Sequence, residues 1–273
     1  MVATPIGNLR DITLRALDVL ASVDIVYAED TRVAGKLLSA YGVSAKLRPY
    51  HDHNGAEVRP GLIRDLQGGA RIALISDAGT PLVSDPGFKL VREVVGQGVV
   101  VRTVPGASTP IAALSIAGLP TDRFLFAGFP PPKSAARRTF LKELADIDAT
   151  LVMFEGASRL AESLADMADV LGDREGAVAR ELTKAFEEVR RGTLSGLAET
   201  YLREGPPRGE MAVLVGPPVS RQTASAEEID AAIRAADPSM SIKDVAAGIA
   251  DRFGLKRRDV YARALELRGR NAD

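Results

Sequence analysis

The chain has 273 residues, 46% hydrophobic and 26% charged, the proportions of an ordinary globular protein. It holds no cysteine and only two histidines, His51 and His53. That excludes disulfides, thiolate zinc sites and cysteine nucleophiles, and leaves a histidine-dependent triad one neighbourhood only. A net charge of −1 argues against a protein that coats nucleic acid non-specifically, though not against a local basic face. No apolar run reaches the roughly 18 residues of a membrane span, and Pro5 and Gly7 interrupt the place where a signal segment would lie. A cytoplasmic protein without a membrane or metal partner is expected.

In chain order, short β-rich runs alternate with helical patterns. Strands are expected at 24–28, 71–76, 99–104, 124–127, 150–154 and 211–215. Helices are expected at 13–23, 32–41, 58–66, 88–95, 110–117, 135–145, 159–171 and 197–203. Leu14, Leu17, Leu20 and Val23 recur at helical spacing, as do Leu160, Leu164, Met167 and Leu171, and Gly42 and Gly172 stand where helices should stop. Strands alternating with helices imply parallel sheet built from crossover units, with ligands beyond the carboxyl ends of the strands. The proline run at 127–134 reads as a linker, giving an N-terminal α/β domain over 1–127 and a second over 128–218. A second break at 216–225 precedes a C-terminal helical segment over 225–273, with helices at 226–236, 242–253 and 257–267. Ser225 with Glu228, and Ser241 with Asp244, have the spacing of capping boxes.

Five loops stand out at strand ends. TPIGN at 4–8 is by itself most simply a tight turn. SDAGTPLVSDPG at 76–87 packs two Gly, two Pro, two Asp and two Ser into twelve residues, so its backbone can approach a ligand. The plainer reading is two successive turns, with Asp85 capping the next helix. VPGAST at 104–109 opens a helix and suits an anionic group, or is an ordinary N-terminus capped by Ser108. RELTK at 180–184 and PPRGE at 206–210 either line a cleft or are solvated edges. There is no P-loop, no GxGxxG and no nucleophile elbow. What remains is a cleft of backbone and small side chains, suited to a cofactor that carries its own reactivity.

The blocks ATPIGNLRDITLRAL, AEDTR, HDHN, SDAGTPLVSDPGFKLV, VPGAST, LPTDRFLFAGF, FEGASRL, ARELTK, EEVRRGTL and PPRGEMAVLV follow one another in this order. Together they resemble the ribosomal RNA small-subunit methyltransferase I family of the tetrapyrrole methylase superfamily, from Val2 to about Val215. The helices beyond resemble that family's tail. The resemblance implies two α/β domains of the tetrapyrrole methylase type with the cofactor cleft between them, plus a small C-terminal helical segment. It implies S-adenosyl-L-methionine, a homodimer, and methyl transfer to the ribose 2′-hydroxyl of a cytidine in the decoding region of 16S ribosomal RNA, within the 30S subunit.

The cofactor contacts that the resemblance implies run along the whole chain. Pro5 and Gly7 shape the first loop. Asp77, Gly79 and Thr80 lie along the methionine and ribose part, with Ser84 and Pro86 in the same loop. Ser108 and Thr109 reach the methionyl end, and Phe154 and Glu155 bound the cleft from the second domain. Arg180, Glu181 and Leu182 flank the adenine, which Met211 and Ala212 cover. The family usually has several residues before VATPIGN, whereas Met1 directly precedes Val2, so either a short first strand or a true start upstream is expected.

A ribose hydroxyl needs alignment and an acceptor for its proton. Candidate acceptors are Glu29, Asp30 and Glu155, and Arg32 and Lys184 are candidates for holding RNA phosphates or charge on the oxygen. The C-terminal pair of helices around Gly254, with Lys256, Arg257, Arg258, Arg263, Arg268 and Arg270, is either a phosphate-docking surface or a helical cap with solvated charges. Two other functions compete: methylation of a tetrapyrrole or other small molecule, which needs a large apolar cleft without a basic rim, and a non-catalytic S-adenosylmethionine-binding ribosome-assembly factor.

Overall fold

The computed structural model describes residues 1–218, 226–237, 240–253, 255 and 257–269. The chain divides into two compact units, Met1–Gly216 and Pro217–Asp273.

The first unit opens with an extended segment. The Val2 N–H donates to the Leu74 carbonyl and the Ala3 N–H to that of Val104, while Thr4 and Gly79 exchange both backbone bonds. A three-stranded parallel sheet follows, with order β2-β1-β3. It is built from β1 (Ile25–Ala28), β2 (Leu47–Pro49) and β3 (Ile72–Ile75). The crossovers are α2 (Thr31–Ala40) and α3 (Gly55–Gln67); α1 (Leu14–Ser22) precedes the sheet and α4 (Phe88–Gly96) follows it. Ala16 and Leu20 of α1 pack with Val26, Ala34 and Ala73 on one face of the sheet, and Leu62, Leu90 and Val94 pack with Tyr27 and Leu74 on the other.

The second sheet has order β4-β5-β8-β6-β7: β4 (Phe124–Phe126), β5 (Thr150–Gly156), β6 (Glu175–Arg180), β7 (Glu188–Thr193) and β8 (Glu210–Val215). Only the β4–β5 pair is parallel; β5–β8, β8–β6 and β6–β7 are antiparallel. The expectation of parallel sheet throughout therefore fails in this half. The reason is β6–β7, a short antiparallel connection, and β8, which returns between β5 and β6.

Four helices cover this sheet: α5 (Thr109–Ala117), α6 (Ser134–Leu144), α7 (Leu160–Leu171) and α8 (Leu194–Glu204). Ala113, Leu114 and Ala117 of α5 join Val152, Ala177, Ala212 and Leu214 in one core. Leu141, Leu160, Leu164, Met167 and Leu197 of the other three helices build a second core with Met153, Val178 and Val213. Both α5 and β4 precede the proline run, yet they belong to this layer. The division at 127–128 thus falls inside the five-stranded layer, because the small apolar residues of α5 pack directly on β5, β6 and β8.

The expected strand at 99–104 forms only at Val104, which bridges Val2. Residues 100–103 are exposed. β-Branched residues make a strand only where a partner edge is available, and Met1 reaches only the end of this run, its amino group donating to the Arg102 carbonyl and its carbonyl accepting the Val104 N–H.

The second unit has its own small core. Three helices, α9 (Ala226–Ala235), α10 (Ile242–Phe253) and α11 (Arg257–Gly269), bury Ile233, Val245, Ile249, Val260 and Ala264 among themselves. Ser241 caps α10: its hydroxyl donates to the Asp244 carboxylate at 2.6 Å and accepts the Asp244 N–H at 3.2 Å. The proposed caps and charges at Ser225, Gly254, Lys256 and Arg270, and the side chain of Arg268, lie outside the described residues. Among the described residues no helix is long and apolar enough to cross a membrane.

Candidate active site

The strand directions bring several loops to one end of the first unit. The loops after β1 and β3 follow the carboxyl ends of parallel strands. In the second sheet β8 runs opposite to β5 and β6, so its start lies beside their ends, with Glu210 opposite Gly156 and Met211 opposite Arg180. A cleft of about 390 Å³ lies among these loops, within the roughly 300–1,000 Å³ of small-molecule sites.

Ten of the expected cofactor residues line it. Gly79, Thr80 and Ser84 come from the loop after β3, and Ser108 and Thr109 from the start of α5. Phe154 and Glu155 end β5, Leu182 follows β6, and Met211 and Ala212 belong to β8. The Ser108 side chain makes no capping bond, so the simple N-cap reading of VPGAST does not hold. Thr80 ties the two first-half loops together, its hydroxyl donating to the Ala107 carbonyl at 3.1 Å.

The other expected cofactor residues sit behind or beside this wall. Pro5 is buried, and the Asp77 carboxylate accepts the Asp30 N–H at 2.9 Å, joining the loops after β1 and β3. Gly7 lies against the 182–184 loop: a Cβ there would stand 2.7 Å from Lys184 Cγ, 2.8 Å from Thr183 Oγ1 and 2.9 Å from the Leu182 carbonyl. Arg180 pairs with Glu188 at 3.0 Å. Glu181 accepts from Lys184 Nζ at 2.9 Å and from the Glu210 N–H at 3.1 Å, and its carboxyl is held below the usual range, first by the Lys184 bond.

Backbone strain concentrates in the same two loops. Among the described residues the non-glycine positions with positive φ are Leu82, Ser84, Glu181 and Thr183, at 49° to 75°. Such conformations are uncommon outside glycine and mark constrained, often functional segments.

The four residues expected to act in the chemical step lie outside the cleft wall. Asp30 caps α2, and its carboxylate binds Arg32 at 2.6 Å; the hydrogen bonds from Arg32 hold that carboxyl well below the usual range. Lys184 pairs with Glu181 and Glu210, which raises its pKa. Glu29 is half-buried, and burial, then the negative charges of Asp77, Asp85, Asp52 and Asp30, push its carboxyl up. Glu155 does line the cleft, but both its oxygens are occupied. Oε1 accepts from the Gly156 N–H at 2.7 Å and from Arg159 at 3.0 Å, and Oε2 accepts from the Ser163 hydroxyl at 2.6 Å.

Three lining residues escaped sequence reasoning. Arg159 stands four residues after Glu155, and that spacing inside FEGASR was the available signal. Phe129, 60% exposed, packs edge-on against Phe154 at 5.3 Å and was hidden in the proline run. Asp85 is a helix cap in the plain-turn reading of its loop, but the N-cap of α4 is Gly87 and no side chain caps it. Burial, opposed by a bond from Ser76 and reinforced by Asp77, pushes the Asp85 carboxyl up.

The cleft thus has an apolar side formed by Ile6, Phe154, Leu182, Met211 and Ala212, and a polar side of hydroxyls, three carboxylates and one arginine with the N-terminus of α5. That donor set fits S-adenosylmethionine: apolar walls for a flat base, hydroxyls for a ribose, and a helix N-terminus for a carboxylate. Gly79 keeps the wall open and close-packed: its φ is +78°, and a Cβ would stand 3.1 Å from Ile6 Cγ2.

A parallel sheet joined through a strained, glycine-bearing cleft to a mixed sheet is the architecture of the tetrapyrrole methylases. The Tetrapyrrole (Corrin/Porphyrin) Methylases family model matches residues 1–198, and a uroporphyrin-III C-methyltransferase from Thermus thermophilus complexed with S-adenyl homocysteine has the same fold. It superimposes with a TM-score of 0.52 at 21% identity, over 77% of this chain and 93% of that one. Residues 223–268 match the RsmI C-terminal HTH domain. The chain is 50% identical to the ribosomal RNA small subunit methyltransferase I of Mesorhizobium japonicum, over 98% of this chain and 91% of the relative. It is 44% identical to that of Pseudomonas aeruginosa, over 99% and 98%. The chain belongs to the ribosomal RNA small subunit methyltransferase I family.

Proposed function

We propose that this protein transfers a methyl group from S-adenosylmethionine to the ribose 2′-hydroxyl of a cytidine in 16S ribosomal RNA, acting on the 30S subunit in the cytoplasm as a homodimer. One observation carries the reading: relatives named for ribosomal RNA methylation match nearly the full chain, whose first unit holds a cleft suited to this cofactor. A structural neighbour of the same fold holds S-adenyl homocysteine. Tetrapyrrole methylation is disfavoured because the full-length relatives carry the ribosomal RNA name, and a non-catalytic assembly role because that name is of a methyltransferase.

The sulfonium supplies an activated methyl group when bound. The residues of the chain position and shield it. Leu182, Met211 and Ala212 enclose the adenine; Thr80 and Ser84 meet the ribose; Ser108, Thr109 and the α5 N-terminus hold the amino-acid end. Asp77 fixes the loop after β1 against the loop after β3, Gly7 presses against the 182–184 loop, and the buried Pro5 precedes it in the first loop. Arg180 and Glu181 brace that loop from behind. Arg159, oriented by Glu155, presents a guanidinium to the RNA strand. Alignment in a cleft that excludes water accounts for much of the acceleration. The C-terminal helices dock on RNA phosphates, with Arg258 an exposed cation at the start of α11.

The test supplies tritiated S-adenosylmethionine to the protein with undermethylated 30S particles, free 16S RNA and uroporphyrinogen III. Label in a cytidine 2′-O-methyl group of the particle is expected. Label in the macrocycle alone, or none despite cofactor binding, defeats the reading.

A further inference from the structure

We infer that Asp85 is the acceptor of the 2′-hydroxyl proton, a catalytic residue of the transfer reaction, and the inference rests on the functional reading above. Among the described residues three carboxylates line the cleft: Asp85, Glu155 and Glu210. A carboxylate can take a proton from substrate only if its oxygens are not already committed to cations. Glu155 is fully engaged by Arg159, Ser163 and the Gly156 N–H, with its side chain 0% exposed. Glu210 binds Lys184 Nζ at 3.0 Å. Asp85 has the Ser76 hydroxyl beside it and, among the described residues, no cation paired with it.

The backbone holds Asp85 in place. It follows Ser84, whose φ is +64°, and precedes Gly87, whose φ is +129°. A Cβ at Gly87 would stand 2.9 Å from both Leu74 Cδ2 and Leu82 Cδ1, so the turn is pressed against the core and Asp85 is presented on its cleft side. The charged groups around it are of two kinds. On its own half Asp77 is negative and favours proton uptake, and the carboxyl of the half-buried Glu29 is itself pushed up by burial, Asp77 and Asp85. The other wall contributes Arg159, neutralised by Glu155, and Glu210, neutralised by Lys184. Asp85 is therefore the basic group of a cleft otherwise balanced in pairs.

The step balances simply. The ribose 2′-oxygen forms a bond to the methyl carbon as the methyl–sulfur bond breaks, the bonding pair stays on sulfur to leave a neutral thioether, and the hydroxyl proton passes to the Asp85 carboxylate. Release to solvent after product departure restores the base. Asp77 does not touch the reacting atoms; it acts through Asp85 by raising the proton affinity of its carboxylate.

The experiment compares wild type with Asp85→Asn, which preserves shape, and Asp85→Glu, which preserves the acid. Single-turnover transfer to undermethylated 30S particles is expected to fall about 100-fold or more in Asp85→Asn and to return in part in Asp85→Glu. Cofactor affinity by calorimetry and the melting temperature should stay near wild type. Independently of activity, carbon-13 carboxyl titration of the ligand-free protein should show one aspartate titrating above the ordinary value of about 3.9, absent in Asp85→Asn. Equal transfer rates for Asp85→Asn and wild type overturn the inference, as does a rate loss explained by lost cofactor affinity, or an Asp85 signal at or below the ordinary value. A wild type inactive on the particle removes the functional reading together with this one. An active wild type with an equally active Asp85→Asn removes this one alone.

Discussion

Replacing Glu155 with alanine tests whether the cleft arginine is positioned from within. The carboxylate sits at the end of β5, and three donors converge on it: the Ser163 hydroxyl at 2.6 Å, Arg159 Nε at 3.0 Å and the Gly156 N–H at 2.7 Å. Ser163 is 0% exposed, so its hydroxyl loses its acceptor where water cannot replace it, at about 1–3 kcal/mol. The Arg159 side chain is 36% exposed and can turn to solvent, so its loss adds no more than about 1 kcal/mol. The sum, about 1–4 kcal/mol, corresponds to a melting point lower by about 2–16 °C at roughly 2–4 °C per kcal/mol for a unit of this size. Scanning calorimetry on Glu155→Ala, Ser163→Ala and the double variant reads both the total and the coupling, which should be about 1–3 kcal/mol because the two side chains share one bond. The freed Arg159 should also raise the KM for the RNA substrate more than it lowers kcat. A melting point within 2 °C of wild type, or a coupling indistinguishable from zero, would refute the claim that Glu155 organises this wall.

Three further outcomes follow from the same geometry. Gly7→Ala should destabilise the first unit by about 1–3 kcal/mol and weaken cofactor binding by calorimetry, because the new Cβ meets the Leu182 carbonyl at 2.9 Å and backbone cannot yield as a side chain can. Asp166→Asn should lower stability in denaturant titrations at pH 7 by about 3 kcal/mol, since it removes the main counter-charge, at 2.7 Å, of the fully buried Arg137. Burial opposes ionisation of Asp166, but bonds from Arg138, Ser134 and Arg137 outweigh it and hold its carboxyl below the usual range. The wild-type contribution is therefore complete above the unfolded value of about 3.9 and lost as pH falls through the folded value, an acid dependence that Asp166→Asn should lack. Arg258→Glu, at a side chain 92% exposed, should weaken binding to 30S particles and flatten its salt dependence while leaving cofactor affinity unchanged.

The helices were legible because their apolar stripes obey one period: Leu160, Leu164, Met167 and Leu171 all pack in the core beneath α7. The strands were legible where a buried parallel run is continuously apolar, as in IALI at Ile72–Ile75. β6 and β7 were not. β6 is central yet made of Gly and Ala, because a Cβ at Gly176 would stand 3.0 Å from Leu194 Cδ2 and 3.1 Å from the Leu214 carbonyl. Close packing by α8 at Gly176 and by α5 at Ala177 and Ala179, not strand propensity, selects those residues. β7 lies at the sheet edge and carries Arg190, Arg191 and Glu188, the charge that protects an exposed edge but reads as loop. The run at 99–104 errs in the opposite direction, with strand residues and no partner edge beyond Val104.

The candidate site divides along the same line. Its loops were visible because a backbone that must approach a ligand or take positive φ needs Gly, Pro, Ser and Asp, and those residues announce themselves. The charges were not, because a carboxylate's role depends on which cation reaches it, and that is a property of the assembled walls. Asp30, Glu155 and Glu210 have the same chemistry as Asp85. Arg32, Arg159 and Lys184 neutralise the first three, while Asp85 is left facing Asp77 across a half-buried turn. The distinction between a brace and a base is thus made by three ion pairs, one of them formed between residues 26 positions apart in the chain.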